Sequence, residues 1–331
     1  MNRITYISLY LLMSALASCQ DSAKVKCDLA VSVVKDDGTP VEKADVSVRY
    51  PIGIKINPGG GFPTDRQQTT TVSTDTNGKA QINYKTVSSP EGIVWIKKDK
   101  FYISIFEDHQ WNMINKDINN QYAIIKAVLK PIKNPIQMSS RLFENLPILI
   151  PSFGKDYGYD LELCEFVPPH GKGKHTDIIF NVIGSDNGKG KGQIQITIRG
   201  NGEKTGFVEF LTPKRERGSV LISDYFAPED GYNNSLSFKF DSDNMAAAMN
   251  QPKDQNYYFR VRCQLNPDGT IKSCHYGKLY GPFTFWNIPV EQGGVASFGL
   301  HTSYFNPTPN DRNVEFDTKR NLLPDGNVQR P

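Results

Sequence analysis

The fold is decided by residues 33–48, which read VVKDDGTPVEKADVSV. Hydrophobic and polar residues alternate on both sides of Asp36-Asp37-Gly38-Thr39-Pro40, and an Asp-Gly step is typical of a turn between two strands. Residues 74–80, TDTNGKA, carry similar turn chemistry between two further alternating runs. We therefore predict short strands joined by tight turns, at residues 29–34, 44–50, 70–73 and 80–84.

The same pattern continues outward to residue 132. It predicts further strands at 92–97, 102–106 and 122–129, and such regular spacing is typical of a β-sandwich. The whole chain has 331 residues, enough for two domains. Aromatic residues make up 11% of it, with 27 Gly and 21 Pro, which favours strands and turns over helices.

Residues 33–48 and 74–80 resemble the carboxypeptidase regulatory-like domain, an Ig-like, transthyretin-like β-sandwich of exported bacterial proteins. Residues 98–102, KDKFY, stand where that family usually has a Gly-Tyr segment. The resemblance implies a first domain at 27–132. It also implies a spacer or interaction unit that carries no active site of its own.

The second half follows a Pro-rich connector at 133–153, where Ser139-Ser140 could cap one short helical turn. We predict a larger β-sandwich or jelly roll at 154–317 and a frayed tail at 318–331. The one helix-prone stretch is 243–249. Strands are expected at 161–166, 177–183, 193–199, 206–211, 219–223, 235–240, 257–264, 270–276, 283–286, 297–304 and 313–317.

Four segments of this half resemble exported bacterial proteins of uncharacterised function. The segments are residues 166–174, 257–262, 276–281 and 306–317. The resemblance carries no activity with it.

The N-terminus predicts export. Arg3 precedes an apolar run, 4–16, that is shorter than the roughly 20 residues needed to span a bilayer, so residues 1–18 fit a signal peptide. Leu16-Ala17-Ser18-Cys19 resembles the lipobox of bacterial lipoproteins, which implies acylation of Cys19 and a lipidated tether at 19–26. An ordinary secretory signal with a chance cysteine is the alternative. Gln20 favours the outer membrane, so we expect a lipid-anchored protein of the cell envelope.

An exported protein folds where disulfides persist. Cys263 and Cys274 flank Asn266-Pro267-Asp268-Gly269, a hairpin turn. If Asp268-Gly269 form a two-residue loop, the cysteines lie opposite each other and a disulfide fits. If the turn instead centres on Pro267-Asp268, the register slips by one residue and the bond is strained. Two buried free thiols are the alternative to this disulfide. A separate bridge between Cys27 and Cys164, which we expect in different domains, stays open.

Aromatic residues and arginines alternate along strand 257–264. Tyr258, Arg260 and Arg262 are expected on one face, and Trp286 could add to it. This set is our candidate ligand face. The alternative is ordinary sandwich core with a surface cation–π pair.

Motifs for other chemistry are weak. Lys172 and Lys174 argue against zinc at His170, His175 and Asp177, so we predict no metal and no cofactor. The turns at 36–37 and 75–78 contain oxygen ligands, but backbone geometry explains them.

The function predicted from these patterns is therefore non-catalytic. A net charge of +3 gives no indication of a nucleic-acid partner. We predict a surface interaction or structural module, whose partners are the membrane and either envelope proteins or glycans. A glycan- or peptide-binding lipoprotein is the alternative. A hydrolase using Asp160, Glu162 and Glu165 is less favoured.

Overall fold

The structure, a computed structural model, describes only part of the chain. Cys19 and Gln20, the signal segment 1–18 and the helix-prone segment 243–249 lie outside the described residues. Within the described residues, every regular element is a β-strand, which confirms the all-β prediction. None of the described residues belongs to a helix that is long and apolar enough to cross a membrane. The described residues are 25–55, 64–87, 92–107, 112–116, 120–143, 148–184, 193–212, 218–241, 252, 254–287, 296–299 and 301–331.

The chain divides into two compact units. The first comprises residues 1–132 and 213–220, and the second comprises 133–212 and 221–331. The strands of the first unit are β1 Val25–Lys35, β2 Asp45–Lys55, β3 Thr64–Ser73, β4 Lys79–Thr86, β5 Ile93–Lys97, β6 Ser104–Glu107, β7 Asn112–Lys116 and β8 Asn120–Leu129.

The described strands of the first unit form a sandwich of two four-stranded sheets. Their strand orders are β4-β1-β8-β7 and β3-β2-β5-β6. Alternate side chains of β1, including Leu29, Val31 and Val33, pack with Val46 of β2 and Ile96 of β5 in one core. All seven strands predicted in this region are present, whereas β7 was not predicted. The pairing of β1 with β8 is parallel, which no local pattern indicates.

The turn residues that decided the fold hold this sandwich together. The Thr74 hydroxyl donates to the Val41 carbonyl at 2.6 Å and accepts from the Ala44 amide at 2.9 Å. Gly78 has a φ of +70°, and a Cβ there would lie 2.3 Å from the Val33 oxygen. Because a side chain does not fit, glycine is required at this position.

The described strands of the second unit form three sheets. Their orders are β12-β11-β13-β14-β16, β15-β17-β18-β21-β9-β22 and β10-β20-β19. The strands are β9 Ile136–Leu142, β10 Ile148–Ile150, β11 Asp156–Asp160, β12 Glu165–Phe166, β13 Ile178–Gly184, β14 Gln193–Gly200, β15 Gly206–Leu211, β16 Ser235–Asp241, β17 Gln255–Leu265, β18 Ile271–Tyr280, β19 Thr284–Asn287, β20 Ala296–Gly299, β21 Thr302–Phe305 and β22 Phe316–Asn321.

Both faces of the six-stranded sheet are buried. Phe259 and Leu279 project from one face into a core shared with Phe180 and Ile196 of the five-stranded sheet. Tyr258, Tyr276 and Tyr280 project from the other face into a second core. The central strands are therefore hydrophobic on both sides, as in sheets covered on both faces.

The predicted connector at 133–153 is wrong. β9 lies inside the six-stranded sheet between β21 and β22, and Ser139 and Ser140 are buried within it rather than capping a helical turn. The Ser140 hydroxyl donates to the Ser303 carbonyl at 2.8 Å. Prolines at 131, 135, 147 and 151 fall outside strand β9 and so leave its ladder intact.

The frayed tail at 318–331 is also wrong. β22 extends to Asn321 and pairs with β9, while Leu323 and Val328 are buried beyond it. The Tyr304 hydroxyl donates to the Arg330 carbonyl, and that of Tyr280 donates to the Pro331 carbonyl, each at 3.0 Å. The polar composition of the segment concealed these contacts.

Other predicted strands also differ from the structure, and the strand predicted at 313–317 begins only at Phe316. Residues 161–164 form a turn between β11 and β12, because the Asp160 carboxylate accepts the Glu162 and Leu163 amides. Residues 219–223 form no strand: Ser219 makes an isolated bridge to Ser104 within the first unit, and residues 221–223 belong to the second unit.

Candidate functional site

The predicted ligand face is split by the structure. Tyr258 and Arg260 do lie on one face of β17, but both are buried, with 4% and 6% exposed. The ring of Tyr258 stacks on Phe210 at 4.3 Å. Arg260 donates to the carbonyls of Lys204 and Glu229 and lies over the Tyr232 ring. These two side chains therefore hold the protein itself together.

Arg262 lies on the opposite face, so its predicted position is wrong. A β-bulge places Arg262 and Cys263 together opposite Cys274, and Arg262 has a left-handed φ of 53°. The bulge reverses the alternation of β17. The guanidinium consequently lies 4.6 Å from the Phe305 ring centroid, on the side of Phe259.

Arg262 is the centre of a network of three carboxylates. Its Nε donates to Asp177 at 2.8 Å, its Nη1 to Glu162 at 2.6 Å and its Nη2 to Asp160 at 3.2 Å. The side chains of Asp160 and Asp177 are at most 1% exposed. Asp160 also accepts the amides of Lys174 and His175. The network ties the turn and loop between β11 and β13 to β17.

The electrostatics of the network follow from its burial. Burial raises the pKa of Asp177, and the hydrogen bonds from Arg262 offset this only in part. Burial opposes the charge of Arg262, but Asp177 and Glu162 outweigh it and raise the pKa of the guanidinium. Asp160 and Glu162, two of the three carboxylates of the less favoured hydrolase prediction, thus share one arginine.

Trp286 lies on a different sheet from the rest of the predicted face. It belongs to β19, where it pairs with Ser297 of β20. The position of its side chain lies outside the described residues. By backbone position, the predicted set of Tyr258, Arg260, Arg262 and Trp286 is not brought onto one strand face.

The hairpin turn between the two cysteines takes the second of the two expected registers. The Asn266 amide donates to the Thr270 carbonyl, the Gly269 amide donates to the Asn266 carbonyl, and Gly269 has a φ of 78°. The turn therefore centres on Pro267-Asp268. A second irregularity between Gln264 and Leu265, where Lys272 is an extra residue on β18, offsets this register, so that Gln264 pairs with Ser273 and Cys263 comes to lie opposite Cys274.

Both thiols are free in this structure. Hydrogen bonding from the Cys263 side chain lowers the pKa of Cys274 to about 7, although burial opposes this shift. The same hydrogen bonding, with burial, raises the pKa of Cys263. The disulfide between them stays a prediction. Cys27 and Cys164 are buried with free thiols in separate cores.

Metal ligands do not gather in the described part of the chain. No group of three His, Cys, Asp or Glu side chains there has a geometry that could hold an ion. Asp177 binds Arg262, and the His170 ring packs against Tyr157. At the oxygen-rich turns, Asp37 accepts the Thr39 amide, and Asp75 accepts the amides of Asn77 and Lys79.

The first unit carries an open concavity that sequence reasoning missed. It has a volume of about 490 Å³ and lies on the outer face of the sheet β3-β2-β5-β6. The guanidinium of Arg49, which lines it, lies 4.8 Å from the ring centroid of Trp95. The lining residues are Arg49, Pro51, Asp65, Gln67, Gly92, Ile93 and Glu107. We name this surface the Arg49 face.

Strand alternation and register bring these residues together. Arg49 lies opposite Ile93, which lies opposite Glu107, while Gln67 lies opposite Pro51. The neighbouring residues Val48, Tyr50 and Val94 point into the core. Alternation in 44–50 and 92–97 was visible in the sequence, and the outward set Arg49 and Trp95 could have been read from it. The cross-strand register was not visible.

No protein-family model matches the chain, and no curated protein matches it. Among solved structures, an intradiol ring-cleavage dioxygenase from Tetranychus urticae is 13% identical, covering 34% of this chain and 85% of its own, with a TM-score of 0.26. A Bacteroides uniformis protein provisionally described as carbohydrate-binding is 8% identical, covering 83% and 97%, with a TM-score of 0.18. A Bacteroides fragilis protein of unknown function is 9% identical, covering 87% and 99%, with a TM-score of 0.20. Likenesses this distant carry no argument about function.

Proposed function

We propose that the chain is an exported lipoprotein, anchored through Cys19 in the cell envelope, that acts as a non-catalytic interaction or structural module. The anchoring rests on the lipobox-like residues 16–19 and the apolar run before them. Gln20 favours the outer membrane.

One observation carries the non-catalytic part of the proposal. The polar side chains most suited to catalysis form their hydrogen bonds with other groups of the protein. Arg260 binds backbone carbonyls, and Asp160 binds backbone amides. Arg262 neutralises part of the carboxylate network. A general acid or nucleophile must instead reach a substrate atom.

Metabolic labelling with a radioactive fatty acid tests the anchor. The wild-type chain should take up label and fractionate with membranes. Cys19→Ala should be unlabelled, whereas Cys263→Ser, which removes a different thiol, should label like wild type. An unlabelled wild-type chain would refute the lipid anchor. Hydrolysis by the purified chain that is lost in Glu162→Gln would refute the non-catalytic assignment.

Ligand binding is the second candidate function, and the Arg49 face favours it. Binding sites are concave and combine an apolar lining with a few oriented polar groups. The Arg49 face combines Pro51 and Ile93 with Arg49, Asp65 and Gln67. Its ligand would be a glycan or a peptide of the cell envelope, the two ligand classes that the sequence analysis gave as the alternative function.

A further inference from the structure

The Arg49 face has the chemistry of a site for a neutral sugar chain. We infer that it binds a neutral oligosaccharide, an inference that rests on the proposed binding role. Arg49 supplies donors, Asp65 supplies acceptors and Gln67 supplies both. Sugar hydroxyls both donate and accept, so a mixed set of planar polar groups suits them. A set of groups that all carried the same charge would instead suit an ion of the opposite charge.

Charge argues against strongly anionic ligands. Among the described residues that line the concavity, Asp65 and Glu107 add carboxylates beside the Arg49 guanidinium. A polyanion would bring further negative charge toward these carboxylates, and like charges repel. The preferred ligand is therefore uncharged and rich in hydroxyl groups.

The position on the sheet argues against an extended peptide. Peptides commonly join a sheet by pairing with the exposed backbone of an edge strand. β2 already pairs with both β3 and β5, and β5 pairs with both β2 and β6. The Arg49 face therefore offers side chains and no unpaired ladder at its centre.

Trp95 restricts the Arg49 side chain before a ligand binds. Its ring, half-buried on β5, supports the Arg49 guanidinium from the same side of the sheet. Such support lowers the ordering cost of an exposed arginine when a ligand binds. The apolar floor of Pro51 and Ile93 suits the C–H faces of a sugar ring.

Affinity gel electrophoresis of the detergent-solubilised full chain tests the inference. The gels contain amylopectin, xylan, galactomannan or dextran, with polygalacturonate as the anionic comparison. At least one neutral polysaccharide should retard the wild-type chain. Calorimetry with its hexasaccharide should show affinity falling at least tenfold in Arg49→Met and in Trp95→Ala. Asp65→Asn, which preserves volume, should weaken binding in a variant that melts like wild type.

Arg66→Ala is the matched control. Arg66 is exposed on the same strand as Asp65 but does not line the concavity, so its loss should leave binding unchanged. The inference is overturned if no neutral polysaccharide retards the chain, or if Arg49→Met and Asp65→Asn bind like wild type. Binding only to polygalacturonate, or only to carboxymethylated α-lactalbumin as an unfolded polypeptide, also overturns it. Fatty-acid labelling is independent of these outcomes, so failure here leaves the anchor proposal standing.

Discussion

At the scale of single residues, Arg262 shows how a bulge converts a surface-looking arginine into a structural one. Strict alternation would place it beside Arg260. The left-handed backbone at Arg262 instead turns it toward two carboxylates that are at most 1% exposed. Removing one partner from such a buried network leaves uncompensated charge, which is costly.

We expect Arg262→Met to destabilise the second unit by about 3–5 kcal/mol at pH 7. The pKa of Asp177 is raised in the folded chain above its ordinary value of 3.8. The stability that protonated Asp177 contributes is therefore fully present below pH 3.8 and is lost as pH rises through the folded pKa. Without Arg262 that pKa rises further, so the deficit should be smaller at pH 4.5 than at pH 7. Urea unfolding at both pH values measures this.

The matched control is Arg199→Met. Arg199 and Asp156 form an ion pair in which both side chains are more than a third exposed. Such a pair contributes at most about 1 kcal/mol. Equal losses for the two variants would contradict the structural role of Arg262.

The cysteine pair gives a second prediction at this scale. In an oxidising compartment Cys263 and Cys274 should close a disulfide, and a loop of about ten residues is worth about 2–3 kcal/mol. The double change to serine should lower the Tm of the second unit only. Since Cys274 has a pKa of about 7, closure by an added disulfide oxidant should accelerate as pH rises through 7. Alkylatable thiols at both positions in envelope-purified protein would contradict the prediction.

At the scale of elements, β9 and the segment after β22 are the main corrections to the sequence analysis. Proline spacing predicted a loop, and polar composition predicted fraying. β9 is instead a strand of the six-stranded sheet, and the segment after β22 is hydrogen-bonded to β9, with the Leu322 amide donating to Met138 and the Leu142 amide donating to Gly326. Lys278, which is fully buried, donates to the Ser223 hydroxyl at 2.9 Å and lies over the rings of Tyr280 and Tyr304.

Deleting residues 322–331 should destabilise the second unit by about 2–4 kcal/mol, because burial of Leu323 and Val328 is lost. The hydroxyls of Tyr280 and Tyr304 would also lose the carbonyl acceptors at 331 and 330. Calorimetry should show a lower Tm for the second unit and an unchanged first unit. An unchanged Tm of the second unit would instead support the prediction that residues 318–331 are frayed.

At the scale of the whole molecule, the chain returns to the first unit after leaving it. Residues 213–220 belong to the first unit although they follow β15 of the second. The amide of Ile105 donates to the Gly218 carbonyl, and that of Val220 donates to the Ile103 carbonyl. The first unit is therefore discontinuous in sequence, and its predicted range 27–132 omits this segment.

Gly218→Ala tests this arrangement. A Cβ at Gly218 would lie 2.4 Å from the buried ring of Phe106, so we expect a loss of about 3 kcal/mol from the first unit. Gly38→Ala is the control, since Gly38 also has a positive φ but nothing within 4 Å of the added atom. It should cost only about 1 kcal/mol, the backbone penalty alone. Separate thermal transitions measure both, and equal losses would contradict the contact with Phe106.

What the sequence determined by itself was local. Alternation around the turns at 36–40 and 75–78 yielded the all-β class and seven strands of the first unit, because a strand's faces depend only on its own residues. Tertiary structure alone decided the parallel β1–β8 pair, the insertion of β9 beside β22 and the bulge that reverses Arg262. It also assembled the Arg49 face from four strands. Each of these depends on register between distant segments, and register is set by which partners pack together, a quantity that no local pattern contains.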